Sequence, residues 1–188
     1  MRWKKGGWLA GVPCILSPNQ GERPAGEQVT LLVLHNISLP PDDFGGEWVE
    51  QFFVNRLDAS AHPYFAEIAD LQVSAHFYIR RSGRVVQFVS ADQRAWHAGR
   101  STWSGRDNCN DFSVGIELEG CDTQPFTPAQ YDALWPVLDA LRRRYPIEAI
   151  VGHCHVAPGR KTDPGPHFDW VTLRQRYPRL DLPPEVGL

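Results

Sequence analysis

The feature that most constrains this chain is an uninterrupted apolar run, V-T-L-L-V-L-H, over residues 29–35. Leucine and β-branched residues without a polar interruption are typical of a strand covered on both faces, so the run predicts a buried central strand. A second short apolar run, 149–151, leads into Gly152 and His153. Both predicted strands therefore end at a histidine, and the carboxyl ends of strands in α/β folds commonly line one crevice.

Strand and helix patterns alternate along the rest of the chain. Apolar residues at helical spacing predict a helix from about Asp43 to Arg56, and T-P-A-Q from Thr127 is a capping box that opens a helix to about Tyr145. The other predicted elements are a hairpin of 75–80 and 84–89, an irregular segment over 95–110, a strand over 112–118 and a short helix over 168–176. This order predicts an α/β fold: a single domain, 1–188 with a core of about 28–177, in which helices flank a mixed central β-sheet.

Length and composition limit the class of protein. With 188 residues, of which 42% are hydrophobic and 22% charged, the chain suits one globular domain. The formal net charge of -3 and a single short basic run at 142–144 argue against a nucleic-acid partner. The four cysteines form no C-x-x-C pair, and the apolar stretch near the N-terminus is too short and interrupted for a signal peptide or a membrane helix. We therefore predict a cytoplasmic protein with reduced cysteines and no membrane association, and favour a monomer.

Three residues are candidates to hold a metal ion. His35 and His153 each end a predicted strand, and Asp163 follows the second of them in the K-T-D-P-G-P loop. Two histidines and one carboxylate leave zinc a fourth position for water, which is typical of catalytic rather than structural zinc sites. Spacing alone leaves other sets open, because the chain has seven histidines and these candidates lie far apart in sequence.

Two further residues have the chemistry that a zinc hydrolase needs. Glu117, on the strand face opposite Ile116, is a candidate general base for the proton of water, and Glu119 on the same face is its structural rival. Lys161 could stabilise the oxyanion of a tetrahedral intermediate, although a loop lysine is by itself more often a solvated surface group.

Several long stretches of the chain resemble a known family. They are L-H-N-I-S-L-P-P (34–41), H-P-Y-F-A-E-I (62–68), V-S-A-H-F-Y-I-R-R-S-G (73–83), R-A-W-H-A-G (94–99), C-N-D-F-S-V-G-I-E-L-E-G (109–120) and G-H-C-H-V-A-P-G-R-K-T-D-P-G-P-H-F-D-W (152–170). From about Trp8 to Trp170 the chain is similar to the N-acetylmuramoyl-L-alanine amidases, a family that includes peptidoglycan recognition proteins and phage T7 lysozyme. Within it, the resemblance is to the bacterial enzymes that act on 1,6-anhydro-N-acetylmuramoyl-L-alanine.

The resemblance implies a reaction and assigns residues to it. The family's zinc ligands fall on His35, His153 and Asp163. Its catalytic glutamate falls on Glu117 and its catalytic lysine on Lys161. The implied reaction is zinc-dependent hydrolysis of the amide between 1,6-anhydro-N-acetylmuramic acid and the L-alanine of the stem peptide, in cytosolic recycling of muropeptides.

The resemblance also implies where an anhydro-muropeptide substrate binds. In the family, sugar and peptide contacts come from the residue after the first zinc histidine, which here is Asn36. Further contacts come from the irregular loop between Trp96 and Asn108, so we expect Trp96, Ala98 and Asn108 to take part.

One position departs from the family pattern. Relatives carry Asn or Asp two positions after the second zinc histidine, whereas this chain has His155. In an extended segment His153 and His155 would point to the same side, so His155 is a group supporting a ligand, an exposed side chain or a rival ligand. The presence of Asp163 favours the first two alternatives.

Two other functions are also compatible with the fold that the resemblance implies. An amidase that acts on intact peptidoglycan would be expected to carry an export signal. A non-catalytic peptidoglycan-binding module normally lacks one or more of the five functional residues, and all five are present here.

Overall fold

The computed structural model of the protein describes residues 1–183. In chain order its elements are β1 (Trp3–Lys4), β2 (Trp8–Leu9), β3 (Gln20–Gly21), β4 (Leu31–Ile37), α1 (Trp48–Phe53), α2 (Pro63–Ile68), β5 (Phe77–Ile79), β6 (Val85–Gln87), β7 (Arg94–Ala95), β8 (Thr102–Trp103), β9 (Arg106–Asp107), a 3-10 helix (Cys109–Asp111), β10 (Ser113–Glu119), α3 (Pro128–Arg144), β11 (Ala149–Gly152), α4 (His153–Val156) and α5 (Trp170–Arg176).

A five-stranded sheet in the order β11-β4-β10-β5-β6 forms the centre of the fold. Its first four strands are parallel, and β6 runs antiparallel to β5 as the second strand of a hairpin. The predicted mixed α/β sheet with flanking helices is therefore confirmed, and so is the buried central strand, because β4 has a neighbour on each side.

The side chains of β4 alternate between two packed layers. Leu32 and Leu34 pack into the cluster that contains the buried residues of α3, whereas Leu31 and Val33 pack with the segment that precedes β10. Because successive side chains of a strand point to opposite faces, His35 continues the series of Leu31 and Val33. The histidine thus emerges on the face of the sheet that α3 does not cover.

The N-terminal segment belongs to the same core. Leu9 is fully buried in the cluster that α3 joins, and the indole Nε1 of Trp3 donates a hydrogen bond to the carbonyl of Ala140 at 3.1 Å. Near the other end Leu182 joins this cluster as well. The hydrophobic core therefore extends on both sides of the predicted 28–177, while the predicted domain end at 188 lies outside the described residues.

Helix boundaries are where the sequence predictions differ most from the structure. The helix predicted from Asp43 to Arg56 is limited to α1, because Gly45 and Gly46 adopt φ of +93° and +64°, which a right-handed helix cannot contain. Helix α2 was not predicted; it begins with a proline, and the ring of His62 caps it by accepting a hydrogen bond from the amide of Tyr64. The segment 95–110 is also less irregular than predicted, since it contains the β8–β9 hairpin and the 3-10 helix.

Two features bear on the class of protein. Within residues 1–183, no helix combines the length and apolar character needed to cross a membrane. All four cysteines lie in this part of the chain and none forms a disulfide.

The capping box of α3 gives a test of the fold. The hydroxyl of Thr127 accepts a hydrogen bond from the amide of Gln130 at 3.2 Å and donates one to the carbonyl of Arg81 at 2.7 Å. We expect Thr127→Ala to lower the free energy of unfolding by about 1 kcal/mol, because it removes a helix cap. Urea unfolding followed by circular dichroism measures the change. Thr127→Ser retains the hydroxyl and serves as the control; equal stability of the two variants would contradict the assignment.

Candidate active site

The ends of three parallel strands lie side by side at one edge of the sheet. In the register of β4 and β10, His35 is the direct partner of Glu117. On the other side of β4, Gly152 of β11 is the partner of Leu34, so His153 follows immediately beside His35. Registered partners on parallel strands share a face of the sheet, and these three side chains therefore converge.

Three donor atoms form a tight cluster at this edge. Nδ1 of His35 lies 3.0 Å from Nδ1 of His153 and 3.0 Å from Oδ2 of Asp163, and the remaining pair, His153 Nδ1 and Asp163 Oδ2, is 3.1 Å apart. Both histidines are buried and the aspartate is partly buried. Among the residues that the structure describes, this is a group whose positions suit a shared metal ion.

The protonation of the two histidines fits that role. Nε2 of His153 lies 3.0 Å from the carbonyl oxygen of Ala98, which can only accept a hydrogen bond, so Nε2 carries the proton and Nδ1 has a free lone pair. Burial lowers the pKa of His35 to about 4, against the opposing effect of Asp163. A neutral imidazole is the form that binds a metal, and two such lone pairs facing a carboxylate at about 3 Å suit a cation between them.

Asp163 supplies the negative charge of the cluster. Burial alone would raise the pKa of its carboxyl group, but the close contacts of Oδ2 with the rings of His153 and His35 outweigh burial and lower the pKa below its usual range. Its main chain is also fixed, because the carbonyl accepts a hydrogen bond from the amide of Cys154 at 2.9 Å. The loop carrying Asp163 is thus tied to α4, which begins with His153.

Glu117 has the environment of a proton acceptor rather than of a structural carboxylate. Its side chain is buried, Oε1 lies 4.0 Å from Nδ1 of His35, and Oε2 has no hydrogen-bond partner within residues 1–183. Burial and the nearby charge of Asp163 raise the pKa of Glu117 well above its usual value, and the charge of Lys161 acts in the opposite direction. A buried carboxyl group without a partner, beside three converging donors, is available to exchange a proton with a reactant.

Glu119 is the structural member of the pair. Its two carboxylate oxygens accept hydrogen bonds from the amides of Gly45 at 2.6 Å and Arg81 at 2.7 Å. These bonds attach the loop before α1 and the turn after β5 to the end of β10. With both oxygens engaged, Glu119 is excluded as a rival to Glu117.

A groove of about 650 Å³ lies over the donor cluster. Its floor includes His35, Glu117 and Asp163, and Lys161 is an exposed side chain on its lining. The segment after β4 and the region around α2 contribute apolar groups, among them Ile37, Leu39, Tyr64, Ile68 and Leu71. Polar lining residues include Asp122, Thr123, Arg160 and Thr162. A groove of this size and mixed lining suits a small ligand with both apolar and polar parts.

The predicted substrate contacts divide into two groups. Asn36 and Trp96 line the groove, and the amide of Asn36 donates a hydrogen bond to Asp122 at 2.8 Å. Ala98 is fully buried behind His153 and does not line the groove in the described part of the chain. Asn108 is exposed, lines a different depression of about 530 Å³, and its amide donates a hydrogen bond to Asp111 at 2.8 Å. The geometry therefore does not support direct contact through Ala98 or Asn108.

His155 does not join the donor cluster. The expectation that His153 and His155 point to the same side is wrong, because the chain turns into α4 directly after Gly152 instead of remaining extended. Nδ1 of His155 accepts a hydrogen bond from the amide of Gly152 at 2.8 Å, and its ring packs edge-on against Trp170. The side chain therefore stabilises the start of α4, and the alternative of a rival ligand is not supported.

His97 contributes to the site in a way that the sequence did not indicate. Its loop was expected to contact substrate, and His97 does line the groove. Its ring is buried, with Nδ1 3.0 Å from Nε2 of His35 and Nε2 3.1 Å from the hydroxyl of Ser113. The R-A-W-H-A-G stretch was visible in the sequence, yet nothing in an irregular segment indicates which strand its histidine will meet.

Comparisons with known proteins agree with this geometry. The model of the N-acetylmuramoyl-L-alanine amidase family matches residues 25–166. The chain is 56% identical over 170 residues to the 1,6-anhydro-N-acetylmuramyl-L-alanine amidase AmpD of Citrobacter freundii, covering 89% of this chain and 91% of the relative.

Two solved structures extend the comparison. The crystal structure of a selenomethionine AmpD derivative superposes with a TM-score of 0.89 at 55% identity, over 93% of this chain and 98% of that one. The Escherichia coli amidase AmiD, in complex with the substrate anhydro-N-acetylmuramic acid-L-Ala-D-γ-Glu-L-Lys, superposes with a TM-score of 0.60 at 33% identity, over 82% of this chain and 60% of that one. The fold, the sequence and the family match lead to one conclusion: the chain belongs to the N-acetylmuramoyl-L-alanine amidase family.

Proposed function

We propose that the protein is a zinc-dependent amidase that cleaves the bond between 1,6-anhydro-N-acetylmuramic acid and the L-alanine of the stem peptide, in recycling of muropeptides. The observation that carries the proposal is the buried Glu117 carboxyl group, whose Oε2 has no hydrogen-bond partner among residues 1–183, beside the cluster of His35, His153 and Asp163 on the groove floor. The likeness to AmpD of C. freundii and to AmiD with its anhydro-muropeptide substrate supports this choice of substrate.

Zinc is the metal that this donor set suits. Imidazole nitrogens and a single carboxylate oxygen are its usual ligands in hydrolases, where three protein ligands leave one position open. Bound there, zinc would supply a Lewis acid that polarises the scissile carbonyl and makes water acidic enough to react at neutral pH. The neutral state of His35 and the ionised state of Asp163 are the protonation states that such binding requires.

The protein's own groups account for the proton transfers. Glu117 takes a proton from the attacking water as the new C–O bond forms, and its raised pKa suits both taking the proton and passing it on. The same proton is delivered to the alanine nitrogen as the C–N bond breaks, so the products are a carboxylic acid and a free amine. Lys161, on the groove lining, places positive charge near the developing oxyanion. Asn36 and Trp96 are positioned to contact the bound substrate.

The other two functions have less support. A non-catalytic binding module would not need a buried, unpartnered carboxyl group beside a metal-binding cluster, because such a group costs free energy without a partner. An amidase of intact peptidoglycan shares the chemistry and differs in substrate, so it is an outcome of the activity test. The expected cytoplasmic location stays a prediction, which fractionation of cells would test.

The ligand set can be tested without an activity assay. We expect Asp163→Ala to lose bound zinc, because it removes one of three donors, whereas His155→Ala should retain one zinc per chain. Elemental mass spectrometry of the purified proteins after dialysis measures both. Loss of zinc from His155→Ala with retention in Asp163→Ala would show that the third ligand is wrongly assigned.

The reaction is tested by incubating the protein with an anhydro-muropeptide and following the free stem peptide by mass spectrometry. We expect release that a chelator abolishes and added zinc restores. Glu117→Gln should lower kcat by roughly 10²–10⁴-fold, since it removes the general base but keeps the side-chain shape. Glu148→Gln, an exposed carboxylate outside the groove, is the matched control. Release that persists without metal would overturn the mechanism, and faster release from intact sacculi would move the proposal to cell-wall amidases.

A further inference from the structure

Both candidate zinc histidines use Nε2, the ring nitrogen that faces away from the donor cluster, to contact one of two adjacent residues. Nε2 of His35 lies 3.0 Å from Nδ1 of His97, and Nε2 of His153 lies 3.0 Å from the carbonyl oxygen of Ala98. His35 and His153 are 118 positions apart in sequence, yet the groups that orient them come from one dipeptide. A displacement of this dipeptide would therefore disturb both ligands together.

A single side-chain oxygen fixes the dipeptide. Oδ1 of Asn110 accepts hydrogen bonds from the amide of His97 at 3.1 Å and from the amide of Ala98 at 2.9 Å. Asn110 lies in the 3-10 helix, whose carbonyls at Asn110 and Asp111 accept hydrogen bonds from the guanidinium of Arg23 at 3.1 and 2.9 Å. The backbone of Asn110 is therefore itself fixed by Arg23, which comes from a distant part of the chain.

The ring of His97 is fixed on its other side by β10. Its Nε2 bonds to the hydroxyl of Ser113, and a Cβ atom on Gly115 would approach Cγ of His97 to 2.4 Å. Only a residue without a side chain leaves room for the ring at this point. In the tautomer that the inference uses, Nε2 of His97 donates to the hydroxyl of Ser113 and Nδ1 accepts the proton of His35 Nε2.

We propose that Asn110 is a positioning residue of the metal site, which clamps the His97–Ala98 dipeptide so that both histidines present an unprotonated Nδ1 to the metal. The inference rests on the proposed zinc site and deepens it. Asn110 does not contact the donor cluster; it acts through His97 and the carbonyl of Ala98. Arg160, which lines the groove, donates a second hydrogen bond to that carbonyl at 2.9 Å. By fixing the Ala98 carbonyl, Asn110 therefore also fixes the acceptor of the Arg160 side chain.

The first test compares zinc affinities by competition with a chromophoric chelator. Asn110→Ala should bind zinc about 10–100-fold more weakly, the usual effect of removing groups that orient a ligand. Asn110→Asp keeps an acceptor oxygen and should restore affinity. The matched control is Asn19→Ala, which removes a buried amide whose hydrogen bonds reach the carbonyls of Phe53 and Val73; it should lower thermal stability and leave zinc affinity unchanged.

A second pair of variants keeps the test decisive if Asn110→Ala fails to fold. His97→Phe retains an aromatic ring in the space over Gly115 but cannot accept the proton of His35, so its zinc affinity should fall by a similar factor. ¹⁵N-detected NMR of the histidine rings should then show that the Nε2-protonated form of His35, dominant in the wild type, is lost. His97→Gln, which can still accept, should preserve it.

The outcomes separate this inference from the proposed function. Wild-type affinity in both Asn110→Ala and His97→Phe would overturn the clamp and leave the zinc site intact. A wild-type protein that binds no zinc would overturn the proposed function, and the inference with it. Equal losses in Asn110→Ala and Asn19→Ala would also overturn the clamp, because the effect would then be one of general stability.

Discussion

Parallel pairing of β4 with β10 brings His35 level with Glu117, and the rest of the site depends on that register. Successive side chains on a strand point to opposite faces, so a slip of one residue would place Glu117 under α3 and separate it from the histidine. The register is set by the apolar side chains that both strands bury on the α3 face. The hydrophobic core and the candidate active site are therefore specified by the same pairing.

Burial gives the aligned groups their chemical character. The imidazole of His35 is kept neutral and Glu117 has a raised pKa for the same reason, because both are removed from water. The close contacts of Asp163 with the rings of His153 and His35 outweigh the effect of burial and lower the pKa of its carboxyl group. Such an arrangement has an electrostatic cost in the absence of a cation, and a bound metal would offset it. Binding of a metal ion at this site would therefore stabilise the folded protein.

Outside the sheet, irregular segments orient the side chains of the metal-binding cluster. The segment between β7 and β8 provides the His97–Ala98 dipeptide that contacts both histidines, and the loop carrying Asp163 is attached to α4. Glu119, two positions beyond Glu117, attaches the loop before α1. Two neighbouring carboxylates on one strand face thus have different roles. One has both oxygens bonded to backbone amides, whereas the other retains a free oxygen beside the metal-binding cluster.

The sequence by itself determined two things: which segments with strong local patterns form strands or helices, and which family the chain belongs to. The apolar run of β4 and the capping box of α3 predicted elements of the sheet and its helices. The G-H-C-H-V-A-P-G-R-K-T-D-P-G-P motif, with the other stretches that resemble the family, implied the residues that meet at the edge of the sheet. The tertiary structure decided what local patterns do not encode. It excluded Glu119 because two distant loops use its oxygens, and it removed Ala98 and Asn108 from the groove. It also turned His155 away from His153, because the chain enters α4 directly after Gly152. It placed His97 behind His35, since a hydrogen bond across some 60 residues arises only once the strands have paired.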